Sequence, residues 1–395
     1  MIMTSFYSFF YSFMRVLIAP YFAIFRNYRW KVYKPKSKTY LVLTNHNTNY
    51  DFFLAGLCLR KSMRFVASEQ IMRSGFAGKI VKLLADPIPR KKGDDASDTV
   101  KMIVSRLQSG SNVCMMVEGN RSFSGETGWI SPNNIKLIRD SGAGLINWVV
   151  HGGYFVNPRW SRKQRRGRMW GETVRELTPE EISSMSDDEI LRIIRNDIYV
   201  DAYADQEKHS YKYQTRNRAE NLETALFICP ECHKMNSMMS AGNTFSCNEC
   251  GLNLFFNEYC YFENTSQKND PLFKDILSWS RWQVSFIKSS SSDIITSQQR
   301  NIFHDDGIKL SRIIPGTGTE PIDEGTLSMD FDRICFHGKD TYYFNLNDIS
   351  HLSIFTMNTI LFRTESDYYE LRSSRPYSAL KYLICWRLFQ GKDYV

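Results

Sequence analysis

The chain has 395 residues and a formal net charge of +8 at pH 7, with 43% hydrophobic and 14% aromatic residues. That supply of apolar side chains can build real cores and excludes an intrinsically disordered chain, and the length predicts two or three domains. The charge is uneven: Arg15, Arg26, Arg29, Lys31, Lys34, Lys36 and Lys38 all precede the first acid, Asp51, and such a basic, aromatic start suits an anionic surface, membrane or nucleic acid.

Met1 to Phe25 is rich in Phe, Tyr, Leu and Ile, but Arg15 and Pro20 interrupt it, so no uncharged run reaches the roughly 18 to 20 residues of a spanning helix. With no early basic segment and no small-residue cleavage site before Arg26, a signal peptide fits poorly. The segment reads as two short helices lying in a membrane interface over residues 1–30, with a buried core helix as the alternative.

The strand Tyr40 to Thr44 leads into T-N-H-N-T-N-Y-D-F-F, which holds one ionisable base, His46, and one carboxylate, Asp51. Five helical steps of about 100° would leave the two about 140° apart, so they cannot share one helix face. His46 is expected in the Asn-rich turn and Asp51 in the first turn of the next helix, where it could hold one ring nitrogen and leave the other to take a proton. That is half of a hydroxyl-activating site; the alternative is a helix cap with a charged first turn.

A strand at Met63 to Ala67, a helix across Phe76 to Leu84 and a short strand at Pro87 to Pro89 follow, then Arg90, Lys91 and Lys92. An amphipathic helix from Ser97 to Leu107 enters the apolar strand Asn112 to Val117, which ends at Glu118-Gly119-Asn120-Arg121-Ser122. Strands alternating with helices predict an α/β domain with a largely parallel sheet and function at the strand ends. Gly119 permits a tight turn, and the planar forks of Arg90 and Arg121 suit an anion, although single arginines are often solvated surface charges.

Taken in order, His46-x4-Asp51, Arg64-Phe65-Val66-Ala67, Pro87-Ile88-Pro89-Arg90 and Glu118-Gly119-Asn120-Arg121-Ser122 resemble the motif series of the glycerophospholipid acyltransferase family, which includes lysophosphatidic acid acyltransferases. The resemblance covers roughly residues 15 to 205. It implies that His46 is the general base and Asp51 its orienter, and that Arg90, Glu118, Gly119 and Arg121 hold the phosphate of a glycerol acceptor. It also implies an acyl-CoA or acyl carrier protein co-substrate, no catalytic cofactor, and an N-terminal two-helix membrane anchor. Val117 stands where the family has proline and Asn120 where it has threonine, and the strand Gly144 to His151 lacks the family's proline.

After that strand come Gly152-Gly153-Tyr154 and the basic run Arg159, Arg162, Lys163, Arg165, Arg166 and Arg168, which suits anionic headgroups or is simply solvated. The domain, residues 31–223, is expected to close with the strand Met169 to Val174 and a helix capped by Thr178 with Pro179 first, then charged helical sequence to Glu223.

Cys229-Pro230-Glu231-Cys232 and Cys247-Asn248-Glu249-Cys250 form two knuckles fourteen residues apart. Their spacing predicts a zinc ribbon over residues 225–258 with a structural Zn²⁺, Gly251 turning the chain after the second knuckle. Lys234 is the one strong cation between the cysteines, which argues against nucleic acid as a partner. From Trp282 the pattern changes to short alternating strands and a final helix, Pro376 to Phe389, with Ser289 to Ser292 a loop or linker. This β-rich C-terminal domain, residues 280–395, resembles a pleckstrin-homology-like lipid-binding barrel at the level of pattern. The sequence therefore predicts a peripheral or monotopic enzyme on the cytoplasmic face of a membrane, with membrane lipids and the acyl donor as partners. The competing reading is a non-catalytic lipid- or nucleic-acid-binding zinc-ribbon protein.

Overall fold

A computed structural model describes residues 2–69, 86–90, 96–265, 270–314 and 317–391. The helix expected over Phe76–Leu84 and the pair Lys91 and Lys92 lie outside the described residues. The chain divides into two compact units: the first runs to Gln214 apart from Arg159–Lys163, and the second contains Arg159–Lys163 and Thr215–Val395.

The first unit is built on a seven-stranded sheet of β1 (Tyr28–Trp30), β2 (Tyr40–Thr44), β3 (Met63–Ser68), β4 (Ile88–Arg90), β5 (Asn112–Met116), β6 (Gly144–His151) and β7 (Met169–Leu177). Their order is β1-β7-β6-β2-β5-β3-β4. The block β6-β2-β5-β3-β4 is parallel, whereas β7 runs antiparallel to β6 and carries β1 parallel to itself. The sheet is thus mixed. Between β6 and β7 the described chain has only the short helix Gly153–Val156, and without a full crossover helix the return strand lies antiparallel. One edge of the sheet therefore collects the C-terminal ends of five strands and the N-terminal ends of β1 and β7.

All five residues of β2 are buried, as a strand covered on both faces requires. Leu41 and Leu43 pack into a layer with Ile103, Leu107, Ile138 and Ile194 from helices Ser97–Gln108, Asn134–Ser141 and Asp187–Ile198. Thr178 caps helix Pro179–Ser184 through a capping box with Glu181, as its sequence predicts. The helical run stops at His209 rather than continuing to Glu223, because Ser210 turns left-handed at φ 50°.

The N-terminus is one helix, Ile2–Pro20, continued by a π-helical turn, Tyr21–Phe25, in place of the two short helices expected. Arg15 does not break it, because arginine is a good helix former, and Pro20 keeps right-handed angles at φ −60° and ψ −38°. Tyr7–Phe25 is long and apolar enough, by length and composition, to cross a membrane despite its single charge. One side docks on β3: the Tyr7 hydroxyl donates to the Met63 carbonyl at 2.7 Å, and Tyr11 stacks on Phe65 at 6.4 Å. The other side leaves Phe9, Phe13, Val16, Leu17, Ile24 and Phe25 each more than half exposed.

The second unit begins with a four-stranded antiparallel sheet, β8 (Met238–Ala241), β9 (Thr244–Cys247), β10 (Asn253–Phe256) and β11 (Phe262–Asn264). Ser289 to Ser292 lie inside the helix Ile276–Thr296, not in a loop. Asp275 caps that helix, and its buried stripe of Trp279, Gln283, Ile287 and Ile294 outweighs the modest helix propensity of the serines. Gln283 satisfies both ends of its buried amide on the backbone before the first cysteine pair, accepting from Phe227 N at 3.2 Å and donating to Ala225 O at 2.8 Å. Trp279 Nε1 donates to Ile228 O at 3.0 Å.

Seven antiparallel strands follow: β12 (Phe303–Ile314), β13 (Gly318–Met329), β14 (Arg333–His337), β15 (Thr341–Asn345), β16 (His351–Phe355), β17 (Thr359–Arg363) and β18 (Tyr368–Ser373). Their order, β15-β14-β13-β12-β18-β17-β16, puts the first strand in the middle, and helix Ala379–Phe389 ends the chain. The long strand β12 falls outside the sequence reading because its polar run His304, Asp305, Asp306 obscures the alternation. Lys381 of the last helix is fully buried, and its Nζ donates to Asn236 Oδ1 at 2.6 Å and Asp305 Oδ1 at 2.8 Å. Burial lowers the pKa of that amine, against the pull of Asp305.

Candidate active site

The turn after β2 is a knot of local hydrogen bonds around one buried carboxylate. Asp51 opens helix Asp51–Cys58 and is completely buried. Its Oδ2 lies 2.9 Å from His46 Nδ1 and accepts from Asn47 N at 2.9 Å and Thr48 N at 3.0 Å, while the Thr48 hydroxyl donates to Oδ1. A buried carboxylate is stable only when its oxygens are matched in this way. The same bonds fix the imidazole through Nδ1, and the His46 side chain keeps 24% of its surface exposed.

The neighbouring strand β5 supplies the next group. Glu118 Oε1 accepts from His46 N at 2.6 Å and its Oε2 from Gly128 N at 2.7 Å, so one carboxylate ties the histidine's backbone to the loop beyond β5. Burial pushes the Glu118 carboxyl up to about 8, with Asp51 adding to the rise and the two N–H groups opposing it. Gly119 sits in the left-handed region at φ 69°, and open space surrounds the place of a Cβ, so backbone angle rather than crowding asks for glycine there.

Arg121 turns back over the Asn-rich turn. Its Nε donates to Asn47 O at 3.2 Å, Nη1 to Asn49 Oδ1 at 2.8 Å and Nη2 to Asn157 O. Burial lowers its pKa to about 10. His46, Asp51, Glu118, Gly119 and Arg121 thus form one cluster at the strand ends of β2 and β5. Arg90 stands apart, at the end of β4 opposite Ser68, on the same sheet edge but three strand spacings, about 14 Å, from β2.

Residues 26–151 match the family model described as Acyltransferase. The matched segment holds all five residues of the cluster as well as Arg90. A search of curated proteins finds no match. Among solved structures the chain is similar to the 1-acyl-sn-glycerophosphate (LPA) acyltransferase PlsC from Thermotoga maritima, at 15% identity and a TM-score of 0.38, covering 47% of this chain and 74% of that one.

Several residues that shape this site carry no motif signal. Asn45 clamps the turn to β6, its Oδ1 accepting from Val150 N at 2.9 Å and its Nδ2 donating to Val150 O at 2.9 Å. Asn47 and Thr48 supply the N–H groups for Asp51, and Gly128 closes the Glu118 bridge. The density of Asn and Thr around His46 was the available signal, since such side chains favour local turns.

In the second unit Cys229, Cys232, Cys247 and Cys250 bring their sulfurs within 4.8 Å of one another. The pairs Cys229–Cys250 and Cys232–Cys247 are 3.6 and 3.7 Å apart. A tetrahedral zinc with Zn–S bonds of about 2.3 Å requires sulfurs about 3.8 Å apart, so this donor set fits that ion. Gly251 N donates to Cys247 O at 3.2 Å as the chain turns away from the second knuckle.

Proposed function

We propose that the protein is a membrane-surface O-acyltransferase that moves a fatty acyl group from acyl-CoA or acyl carrier protein to the hydroxyl of a lysophospholipid or glycerol phosphate. The observation that carries this reading is the His46–Asp51 pair, 2.9 Å apart at a strand-end edge inside the segment matched by the acyltransferase family. His46 Nε2 takes the acceptor's hydroxyl proton as the oxygen bonds to the thioester carbonyl carbon. The tetrahedral adduct then expels the thiolate, which recovers the proton from the imidazolium and leaves as a thiol. Asp51 orients the ring and offsets its charge. Glu118, Gly119 and Arg121 hold the turn on which the acceptor phosphate lies, with Arg90 contributing positive charge along the same edge.

The N-terminal helix supports a site fed from a lipid surface. Phe22 packs on Tyr50 at 5.4 Å and on Phe53 at 6.3 Å, so this apolar helix reaches the turn that carries His46. This packing supports a peripheral or monotopic protein whose site faces a membrane. The four thiolates hold a structural zinc, which organises the ribbon fold, and the strand order of the last domain, closed by a helix, supports a pleckstrin-homology-like module.

The purified full chain, assayed with radiolabelled acyl donors against a panel of lysolipids and glycerol phosphate, tests the reading. His46→Ala is expected to abolish transfer while leaving fold and zinc content intact. Turnover within about threefold of wild type would overturn the mechanism.

A further inference from the structure

The basic run after β6 divides by what its side chains touch. Arg159 donates to Thr356 O and Ile354 O, Arg162 to Ser374 O, and Lys163 pairs with Glu220, all inside the second unit. Arg166 and Arg168 instead line a shallow cleft of about 280 Å³ in the first unit, with Asn27, Tyr211 and Lys212. Three lining residues are cationic and none is acidic, so the cleft selects an anion.

The frame beneath these cations is built. Arg166 and Gln214 exchange two backbone hydrogen bonds of 2.8 Å each, and the hydroxyl of the buried Tyr213 donates to Arg168 O at 3.1 Å. Gly167 lies against the Tyr213 ring so closely that a Cβ would come within 2.1 Å of it. Asn27, left-handed at φ 47°, accepts from Met169 N at 3.3 Å through its carbonyl and from Arg168 Nη1 at 3.4 Å through its side chain. A preformed frame lowers the entropy lost when a ligand settles.

The position of the cleft points to the ligand. Asn27 leads into β1 and Arg168 into β7, so the cleft opens on the edge that carries His46, two to three strand spacings or about 10 to 14 Å along it. It also comes two residues after Phe25, the last side chain of the exposed apolar stripe on the N-terminal helix. With that stripe in the acyl region of a bilayer, the three cations stand at headgroup depth.

We propose that this cleft is a phosphate site for the headgroup of a membrane phospholipid of net negative charge, separate from the acceptor site at His46. The proposal rests on the membrane-surface reading above. A bound headgroup would set the rotation of the acyltransferase unit on the bilayer, so that the edge with His46 faces the lipid supply.

Vesicle sedimentation of the full chain tests it, with phosphatidylcholine alone and with phosphatidic acid added, for wild type, Arg166→Gln, Lys212→Gln and the double variant. Wild type is expected to bind both vesicles and to prefer the acidic ones. Each substitution is expected to lower the acidic increment about fivefold, leaving binding to phosphatidylcholine unchanged. Inorganic phosphate in solution is expected to compete weakly, because it lacks the neighbouring insertion. Retention of the acidic increment in the double variant would overturn the headgroup site while leaving the membrane reading in place. Phosphate binding lost in the variants without any change on vesicles would overturn it in favour of a soluble anion. Failure of wild type to bind either vesicle would overturn both readings.

Discussion

Arg121 illustrates how a side chain chosen by sequence for one task is placed for another. Its contacts on Asn47, Asn49 and Asn157 make it a strut across the turn that holds His46. Arg121→Ala is therefore expected to lower kcat by one to two orders of magnitude, since hydrogen bonds to charged groups are worth about 1.5 to 3 kcal/mol. A rise confined to the acceptor KM, with kcat and thermal stability unchanged, would assign it to phosphate alone. Glu118 makes a different demand on the same turn. Its folded pKa, about 8, stands above the ordinary 4.5, so its contribution to stability is complete below about 4.5 and is lost as pH rises through about 8. Denaturant midpoints measured across that window are expected to fall more steeply for wild type than for Glu118→Gln. Parallel slopes for the two proteins would show that this carboxyl ionises normally.

At the level of elements, the sequence was most readable where period and burial agree. The run Tyr40 to Thr44 and the helix beginning at Ser97 follow from their patterns alone, as does the placing of His46 in a turn and Asp51 at a helix start. Less readable were features set by partners distant in sequence. The antiparallel return of β7, the strut of Arg121 and the Asn45 clamp on Val150 depend on residues 19 to 105 positions away, which no short local window contains. The serine-rich helix Ile276–Thr296 was missed because its stability comes from Trp279 and Gln283 docking on another segment. The N-terminal helix is continuous, and its outward stripe invites a direct test. Phe13→Ser with Leu17→Ser is expected to weaken binding to neutral vesicles at least about 100-fold, from roughly 1.5 to 3 kcal/mol per apolar side chain. Extraction by alkaline carbonate separates the two modes: partial release fits a helix lying in the interface, and complete resistance would mean that it spans.

For the molecule as a whole, the second unit joins the four-cysteine sheet, the helix Ile276–Thr296 and the seven-stranded sheet into one body. The backbone at Ala225, Phe227 and Ile228 is held by Gln283 and Trp279, and Ser378 Oγ donates to Thr224 O at 2.9 Å just before the last helix. One zinc per chain is expected, and its removal by a chelator should loosen more than the residues between the knuckles. Tryptophan emission is expected to shift to the red as Trp279 meets water, together with a large fall in Tm. Less than about half a zinc per chain without chelator, or an unchanged Tm after complete removal, would count against a structural metal. Lys381 gives the same body a chemical timer. Its amine is sealed among Asn236 of the four-cysteine segment, Asp305 of β12 and the helix that carries it, so an acylating reagent reaches it only after those three pieces part. Lysines on the surface will be tagged within minutes, whereas the tagging rate at Lys381 reads how often the whole unit opens.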